Sequence, residues 1–273
     1  MAKRKYGWTE AKIARFIKEG RGQGELSNYK PWLTTYDVPS EGRTHRILGL
    51  KNERIHHLLS DLERNYFYLS EWSDQVIDIR EQFPLNREIT TAIAERVGIK
   101  HPEDSTSKTP LVMTTDFYIT ARIDNEVINL ARTIKPSKDL NSSRVIEKFE
   151  IERVYWEDKN IDWGIVTEKE LHKETIENIV WLRSSKKLSE AINPTLIELL
   201  MNSLKKESGT IIYRLNEFDA TYQLTGGTAL SILKHLIAHK RLKVDLTKKI
   251  DLETLNIDFT SMLKSSTSER WGT

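Results

Sequence analysis

The clearest pattern of apolar and polar positions runs from Met113 to Lys135. Residues 113–123 and 126–135 are both rich in β-branched and aromatic side chains, and Asp124-Asn125 lies between them. Strands favour such side chains, and a two-residue Asp-Asn loop suits a tight turn. The pattern therefore predicts a β-hairpin.

On either side of this hairpin the apolar positions alternate between helical and strand spacing. Helices are predicted over residues 10–19, 54–70, 88–97 and 141–159, and extended segments over residues 43–49, 75–83 and 161–166. A strand, a hairpin, a long helix and a further strand make an α/β core in which the helix covers one face of the sheet.

From Thr167 onward the pattern becomes helical, because Thr167 and Glu170 have the spacing of a capping box. Helices are predicted from 167 to 182, from 194 to 209, from 211 to 218 and from 227 to 239, followed by a hairpin strand over 242–246. Three short helices before a basic strand pair is the order of a winged helix. We therefore expect an amino-terminal domain of residues 1–167 and a mostly helical, winged-helix-like domain of residues 168–273.

The composition fits a globular chain that can bury a proper core. Of 273 residues, 38% are hydrophobic and 30% are charged, and none is cysteine. The lack of cysteine excludes disulfides and thiolate metal sites, and it agrees with a reducing compartment. No apolar run has the length of a membrane span, and no signal peptide is evident. We therefore expect a cytoplasmic protein without a membrane partner.

The distribution of charge is more informative than the net charge of +2. Residues 1–24 carry seven lysines and arginines against two acids, and residues 234–249 carry six against one. Two basic clusters on a near-neutral chain indicate contact with a polyanion, although two solvated faces would explain them equally well. The cations expected to grip a nucleic-acid backbone are Arg4, Lys5, Lys12, Arg15, Arg21 and Arg43.

The hairpin carries candidate chemistry where its strands begin and end. Asp116 lies near the start of the first strand, Lys135 ends the second, and Thr133 shares a face with Lys135. An acid on one strand beside a lysine that ends its neighbour is the layout of metal-dependent nucleases of the restriction-endonuclease type. A sheet with a solvated edge gives the same pattern without catalysis.

A third candidate is Glu63, at the margin of an apolar stripe on the helix predicted for 54–70. A partly desolvated carboxylate there needs a partner, which is either a bound cation or a neighbouring basic side chain.

Several longer motifs, in order along the chain, make this sequence similar to the TnsA family, the endonuclease subunits of heteromeric cut-and-paste DNA transposases. The similarity is densest over residues 12–182. Its motifs include Ile17-Lys-Glu-Gly-Arg-Gly-Gln-Gly24, Tyr29-x-Pro-Trp-Leu33, Asp78-Ile-Arg-Glu-Gln-Phe-Pro-Leu85, Met113-x-Thr-Asp-Phe117, Lys135-Pro136 and Glu147-Lys-x-Glu-x-Glu-Arg-x-Tyr-Trp156.

This resemblance implies a restriction-endonuclease-like core of the PD-(D/E)xK type, followed by a winged-helix-like domain. It implies hydrolysis of phosphodiester bonds at the 5′ ends of a transposon, with transposon-end double-stranded DNA as substrate. The implied partners are TnsB, an integrase-like subunit that cuts and joins the 3′ ends, and TnsC, an ATPase regulator.

The resemblance also implies a site. The catalytic positions fall on Glu63, Asp116, Thr133 and Lys135, and the metal ligands on Glu63, Asp116 and the backbone carbonyl of Ile134. Carboxylate and carbonyl oxygens suit Mg²⁺, with Mn²⁺ as an expected substitute. Thr133 departs from the family pattern, which has glutamine there, so its metal role is in question.

Glu152 also falls within a family motif. It is either a supporting carboxylate or an ion-pair partner of Arg153 or Arg144, and the sequence favours the ion pair.

Two other functions fit the same residues. The first is a stand-alone restriction or repair nuclease, which would cut duplex DNA without partner subunits. The second is a catalytically weakened nuclease fold that serves as a DNA-bound scaffold, an interpretation that the departure at Thr133 keeps open.

Overall fold

The computed structural model describes residues 7–38, 42–189, 192–206, 209–255 and 257. The chain divides into two compact units between Leu171 and His172. The elements of the first unit are α1 (Glu10–Lys18), β1 (His45–Leu48), β2 (Ile55–Leu58), α2 (Asp61–Trp72), β3 (Val76–Pro84), α3 (Arg87–Arg96), β4 (Thr114–Ile123), β5 (Glu126–Ile134), α4 (Ser143–Glu157) and β6 (Asp162–Val166). Those of the second are α5 (Lys173–Arg183), α6 (Pro194–Lys206), α7 (Ile211–Thr221) and α8 (Thr228–Ala238).

The hairpin predicted from the alternating pattern is confirmed as β4 and β5, at the centre of a four-stranded sheet. The strand order is β3-β4-β5-β6, with antiparallel pairing except between β5 and β6, which are parallel. Asp124 and Asn125 both have positive φ, 50° and 68°, as a tight two-residue hairpin turn requires. The predicted strands at 75–83 and 161–166 are confirmed as β3 and β6.

Successive residues of the strands pack into two different cores, one on each face of the sheet. Tyr118 and Ala131 face the helices α3 and α4, where they pack with Ile151 and Trp156. The neighbouring Phe117, with Ile119 and Ile134, contributes to the core beneath α2. The sheet is therefore buried on both faces, which holds the hairpin rigidly in place.

The helix predicted for residues 54–70 is wrong in its first part, because residues 55–58 form the strand β2. The cause is Glu81 on β3, a fully buried carboxylate. It accepts two hydrogen bonds from the Arg54 guanidinium, at 2.8 and 2.6 Å, and one from the backbone N–H of His57 at 3.0 Å. His56 lies 2.8 Å from the same carboxylate. Burial opposes ionisation of Glu81, but His56 and Arg54 together lower its pKa.

The helix predicted to open at Thr167 begins later, at Lys173. The capping-box residues do interact, since Glu170 accepts hydrogen bonds at 2.7 Å from both the backbone N–H and the hydroxyl of Thr167. Those bonds close a turn, and α5 starts only after it.

In the second unit the three helices predicted after residue 190 are confirmed as α6, α7 and α8. Asp219 on α7 binds the start of α8, because its carboxylate accepts from the N–H groups of Gly227 at 2.7 Å and Ala229 at 2.8 Å.

The hairpin strand predicted for residues 242–246 is not formed, and the described residues from 172 to 255 contain no β-strand. Asn178 of α5 explains the difference. Its side-chain amide donates to the carbonyls of Leu246 and Lys248 at 2.8 and 2.7 Å, and its oxygen accepts from the N–H of Ile250. The segment after α8 is thus hydrogen-bonded to a helix side chain.

Candidate active site

Glu63 occupies the first turn of α2 and is buried, with 6% of its surface exposed. Ser60 caps the helix by accepting from the backbone N–H of Glu63 at 3.1 Å. Glu63 in return accepts from the Ser60 hydroxyl and from the backbone N–H of Leu59, both at 2.9 Å. This reciprocal capping holds the carboxylate in one orientation.

Asp116 lies near the start of β4. The register places it opposite Gln82, between the pairs formed by Glu81 with Phe117 and by Phe83 with Thr115. One oxygen of Asp116 accepts from the backbone N–H of Ile134 at 2.7 Å, which ties it to the end of β5. The carbonyl of Ile134, a predicted metal ligand, therefore belongs to a residue that directly contacts Asp116.

The carboxylates of Glu63 and Asp116 lie close enough to share one amide group. The Nε2 atom of Gln82 is 3.3 Å from Oε2 of Glu63 and 3.3 Å from Oδ1 of Asp116. Gln82 is not among the predicted site residues, although it belongs to the motif Asp78–Leu85. Its contacts depend on the pairing of β3 with β4 and on α2, so spacing in the sequence could not reveal them.

Burial makes both carboxyl groups of the pair resist ionisation. Burial, followed by repulsion from Asp116, raises the pKa of Glu63. Burial also raises the pKa of Asp116, and the hydrogen bonds from Ile134 and Gln82 and the charge of Lys135 offset only part of this effect. Two buried acids that repel each other form a strong potential site for a cation.

Lys135 directly follows β5, and its backbone N–H donates to the carbonyl of Val166 at 3.0 Å. Its ammonium group is 3.7 Å from Asp139 and its side chain is about one-third exposed. The charge of Lys135 also lowers the pKa of Asp116, so the ammonium group lies within electrostatic reach of that carboxylate.

Thr133 is placed differently from what the resemblance implies. Its hydroxyl donates to Oε1 of Glu152 at 2.5 Å and accepts from the indole N–H of Trp163 at 3.2 Å. Both bonds belong to a buried network next to α4, and none joins Thr133 to Glu63 or Asp116 among the described contacts.

The ion-pair interpretation of Glu152 is wrong. Arg153 pairs with Glu150 and Glu157, and Arg144 pairs with Glu147. Glu152 is instead buried, 3% exposed, and accepts hydrogen bonds from the hydroxyls of Thr115 and Thr133. Burial raises its pKa to about 7.

The chemistry of this donor set fits a hard divalent cation. Within the described part of the chain, no group of three or more His, Cys, Asp or Glu side chains is placed to hold a metal. Glu63 and Asp116 would thus provide the two anionic oxygens, and further ligands would have to be neutral oxygens of amides, carbonyls or water.

The predicted DNA contacts divide into two kinds. Arg15 and Arg43 have largely exposed side chains, 61% and 79%, and Arg43 is paired with Asp61 in the turn of α2 that carries Glu63. Arg21 is only 18% exposed and donates to Glu19, Asp37 and the carbonyl of Trp32. Arg21 therefore holds the fold together, and its geometry does not support a DNA contact. Arg4 and Lys5 lie outside the described residues.

In the basic cluster of residues 234–249, several side chains also have partners within the second unit. Lys234 donates to the hydroxyl of Ser184 at 2.7 Å and lies over the ring of Trp181. Arg241 pairs with Glu198 at 2.5 Å.

None of the helices in the described residues is long and apolar enough to cross a membrane.

Comparison with known proteins identifies relatives of both units. The family model described as TnsA-like endonuclease N terminal matches residues 73–168, and the model described as TnsA endonuclease C terminal matches residues 170–246. The chain is 42% identical over 252 residues to the Transposon Tn7 transposition protein TnsA of Escherichia coli, which covers 91% of this chain and 90% of that protein. Asp116 and Lys135 fall inside the first matched range, and Glu63 lies before it.

Proposed function

This chain belongs to the TnsA family of transposition endonucleases, and we propose that it hydrolyses the phosphodiester bonds at the 5′ ends of a transposon with Mg²⁺ at Glu63 and Asp116. The observation that carries this proposal is the pair of buried carboxylates bridged by Gln82. Mn²⁺ is the expected substitute for Mg²⁺.

A divalent cation bound there would polarise the scissile phosphate and lower the pKa of a coordinated water. Glu63 and Asp116 provide the anionic oxygens, and the carbonyl of Ile134 lies at the same end of β5. Burial raises the pKa of both carboxyls, and repulsion from Asp116 raises that of Glu63 further; binding of a cation would oppose both effects. Ligand binding and ionisation of the pair are therefore coupled.

Lys135 is assigned the role of orienting the attacking water and offsetting charge on the phosphate. Its side chain is partly exposed to solvent, where a DNA backbone has access to it, and its charge acts on Asp116. Such a cation stabilises the negative charge that develops during attack on phosphorus.

We assign contacts that position the DNA backbone to exposed arginines, and Arg43 is the one linked to the candidate site. Arg43 is attached to the first turn of α2 through Asp61, so a phosphate bound there would lie close to the turn that carries Glu63. Contacts of this kind are independent of sequence and sensitive to salt.

The proposal extends to the fold class and the partners. The order β3-β4-β5-β6, with the acid on β4 and the lysine after β5, supports a restriction-endonuclease-like core. The helices α6–α8 support a winged-helix-like second unit, although the strands of a wing are not formed at 242–246. The proposed partners are a TnsB-type integrase subunit and a TnsC-type ATPase.

The test is cleavage of duplex DNA carrying transposon ends, with each strand labelled separately, by the protein alone and with TnsB- and TnsC-type subunits. The proposal expects 5′-end cleavage that needs Mg²⁺ and the partner subunits. Efficient cutting without partners would support a stand-alone nuclease. Absence of 5′ cleavage in a complex that still joins 3′ ends would support a scaffold.

A further inference from the structure

Gln82 is held in an unusual backbone conformation within a regular strand. It lies near the end of β3, is 2% exposed, and has a φ of +49°. Positive φ is uncommon for a residue other than glycine and is found at functional sites more often than elsewhere. Its carbonyl accepts from the backbone N–H of Trp32 at 3.1 Å, which fixes the main chain at this point.

The side chain of Gln82 contacts both anions of the site with a single nitrogen. An amide NH₂ group has two hydrogens, and here one is directed to Glu63 and the other to Asp116. Both distances are 3.3 Å, at the long end of the usual range for hydrogen bonds. The amide nitrogen of Gln82 thus lies between the two carboxylates, where a cation would be attracted by both negative charges.

The hydrogen bond between the amide of Gln82 and Thr114 can form in either orientation of the amide. The hydroxyl of Thr114 lies 3.3 Å from Oε1 of Gln82 and donates to it. A hydroxyl can also accept a hydrogen bond, so it would pair equally well with Nε2 if the amide were rotated by half a turn. The bond between Gln82 and Thr114 can therefore persist when the oxygen and nitrogen of the amide exchange places.

We propose that Gln82 is a switching ligand of the metal site: its amide, whose nitrogen bridges Glu63 and Asp116 in this structure, rotates to present Oε1 to a divalent cation bound between them. This inference rests on the proposed function, which places the cation between those carboxylates. Mg²⁺ and Mn²⁺ prefer oxygen ligands. Because the described residues offer no third His, Cys, Asp or Glu there, a further side-chain ligand would have to be neutral, and the amide of Gln82 already contacts both carboxylates.

A simpler role for Gln82 makes the opposite prediction. If its amide only neutralises the carboxylates through N–H donors, it competes with the cation. Removing the amide would then leave metal affinity unchanged or increase it. A ligand role requires that affinity falls.

The test is the affinity of the full-length protein for Mn²⁺ without DNA, measured from the resonance signal of free Mn²⁺ during titration. Gln82→Met keeps the length of the side chain and removes the amide, and Gln82→Glu offers oxygen at both positions. Gln75→Met is the matched control, because Gln75 immediately precedes β3, at the opposite end of the strand from Gln82. Thermal unfolding without metal shows whether each variant is folded.

We expect Gln82→Met to weaken Mn²⁺ binding about tenfold or more, in the range seen when a group supporting a metal site is removed. Gln82→Glu should bind at least as tightly as the wild type, and Gln75→Met should be unchanged. Wild-type or tighter binding by Gln82→Met overturns the proposal. If Gln82→Met does not fold, weaker binding by Gln82→Glu than by the wild type overturns it.

Failure of the proposed function gives a different result. If Mn²⁺ binding in the wild type is absent, or is unaffected by Asp116→Ala, the cation does not lie between the two carboxylates and both proposals fail. If Asp116→Ala abolishes binding and Gln82→Met does not weaken it, only the switching role of Gln82 is refuted.

Discussion

Thr133 and Glu152 are joined by a hydrogen bond of 2.5 Å that lies entirely within the buried core. The hydroxyl of Thr133 therefore donates a hydrogen bond to a carboxyl group on α4. Two positions before Lys135, the proposed catalytic lysine, Thr133 thus bonds to α4, whereas Asp116 is hydrogen-bonded to Gln82.

This bond predicts a structural effect for Thr133→Val. The substitution keeps the shape of the side chain and removes one of the hydroxyls that donate to Glu152. We expect a decrease of about 1–2 kcal/mol in the free energy of unfolding, measured by denaturant titration. Single-turnover cleavage at saturating Mg²⁺ should stay near the wild-type rate. Impaired cleavage with full stability would show that this hydroxyl acts at the metal.

The raised pKa of Glu152 predicts that the protein loses stability as the pH rises. Its pKa in the folded protein is about 7, above the value of 4.5 for an unperturbed carboxyl, so the folded state holds more protons between these values. The contribution of Glu152 to the free energy of unfolding is fully present below its unfolded pKa. It is lost as the pH rises through its folded pKa.

Glu152→Gln tests this dependence, because an amide has nearly the same shape and does not titrate. The variant should be more stable than the wild type at pH values above the folded pKa, by about 3 kcal/mol if the full shift is realised. The advantage should disappear in acid. Parallel stability curves for the two proteins across the whole range would contradict the pKa assigned to Glu152.

The exposed arginines predict separable effects on DNA binding. Arg43→Glu should weaken the binding of transposon-end DNA and reduce the slope of log affinity against log salt by about 1 for each phosphate that the variant no longer neutralises. Arg122→Glu is the matched control, since Arg122 is exposed near the turn of the hairpin, at the other end of β4 from Asp116. Equal weakening in both variants would show that only the net charge matters. Arg15→Glu should resemble Arg43→Glu.

Arg21 should behave differently from the exposed Arg15 and Arg43, because its guanidinium group is mostly buried. Arg21→Ala removes the bonds to Asp37 and the Trp32 carbonyl and the packing of the guanidinium on the ring of Phe16. It should therefore lower the melting temperature and leave the salt dependence of DNA binding unchanged. A changed salt slope with an unchanged melting temperature would assign Arg21 to the DNA.

The division into two units predicts a division of labour. A chain ending at Leu171 keeps the whole sheet and all of the candidate site, so it should bind Mn²⁺ as the full chain does. Resemblance to the TnsA family implies that a TnsC-type ATPase docks on the carboxy-terminal region. The shortened chain should therefore no longer be recruited by that ATPase, as co-purification would show. Recruitment of the shortened chain, together with failed recruitment of Arg15→Glu, would reverse the assignment.

The parts of the site that sequence can predict are those encoded by local patterns. Asp116 and Lys135 lie on a hairpin whose alternation and turn are continuous in the chain, so the prediction of their strands is confirmed. Helices such as α3 and α4 follow from the spacing of their own apolar positions. The strand β2 falls within a predicted helix, because its conformation is set by hydrogen bonds to the distant Glu81. The local sequence pattern does not indicate those bonds.

The same limit applies to Gln82 and Glu152. Both acquire their roles through contacts between elements far apart in the chain: Gln82 is 19 positions from Glu63 and 34 from Asp116, and Glu152 is 37 from Thr115. A glutamine on a strand and a glutamate on a charged helix look ordinary in sequence. The pairing of β3 with β4 brings Gln82 to the two carboxylates, and the packing of α4 on the sheet brings Glu152 to Thr115 and Thr133.

The most direct test of the account is strand-specific cleavage by Asp116→Ala and Glu63→Gln in the assembled transposase with Mg²⁺, beside Asp158→Asn, which alters an exposed carboxylate on the surface. The account predicts that both site variants are folded, assemble, and lose 5′-end cleavage while 3′-end cleavage by the partner subunit continues, and that Asp158→Asn cuts normally. Retention of 5′-end cleavage by folded Asp116→Ala at the same Mg²⁺ concentration would contradict it.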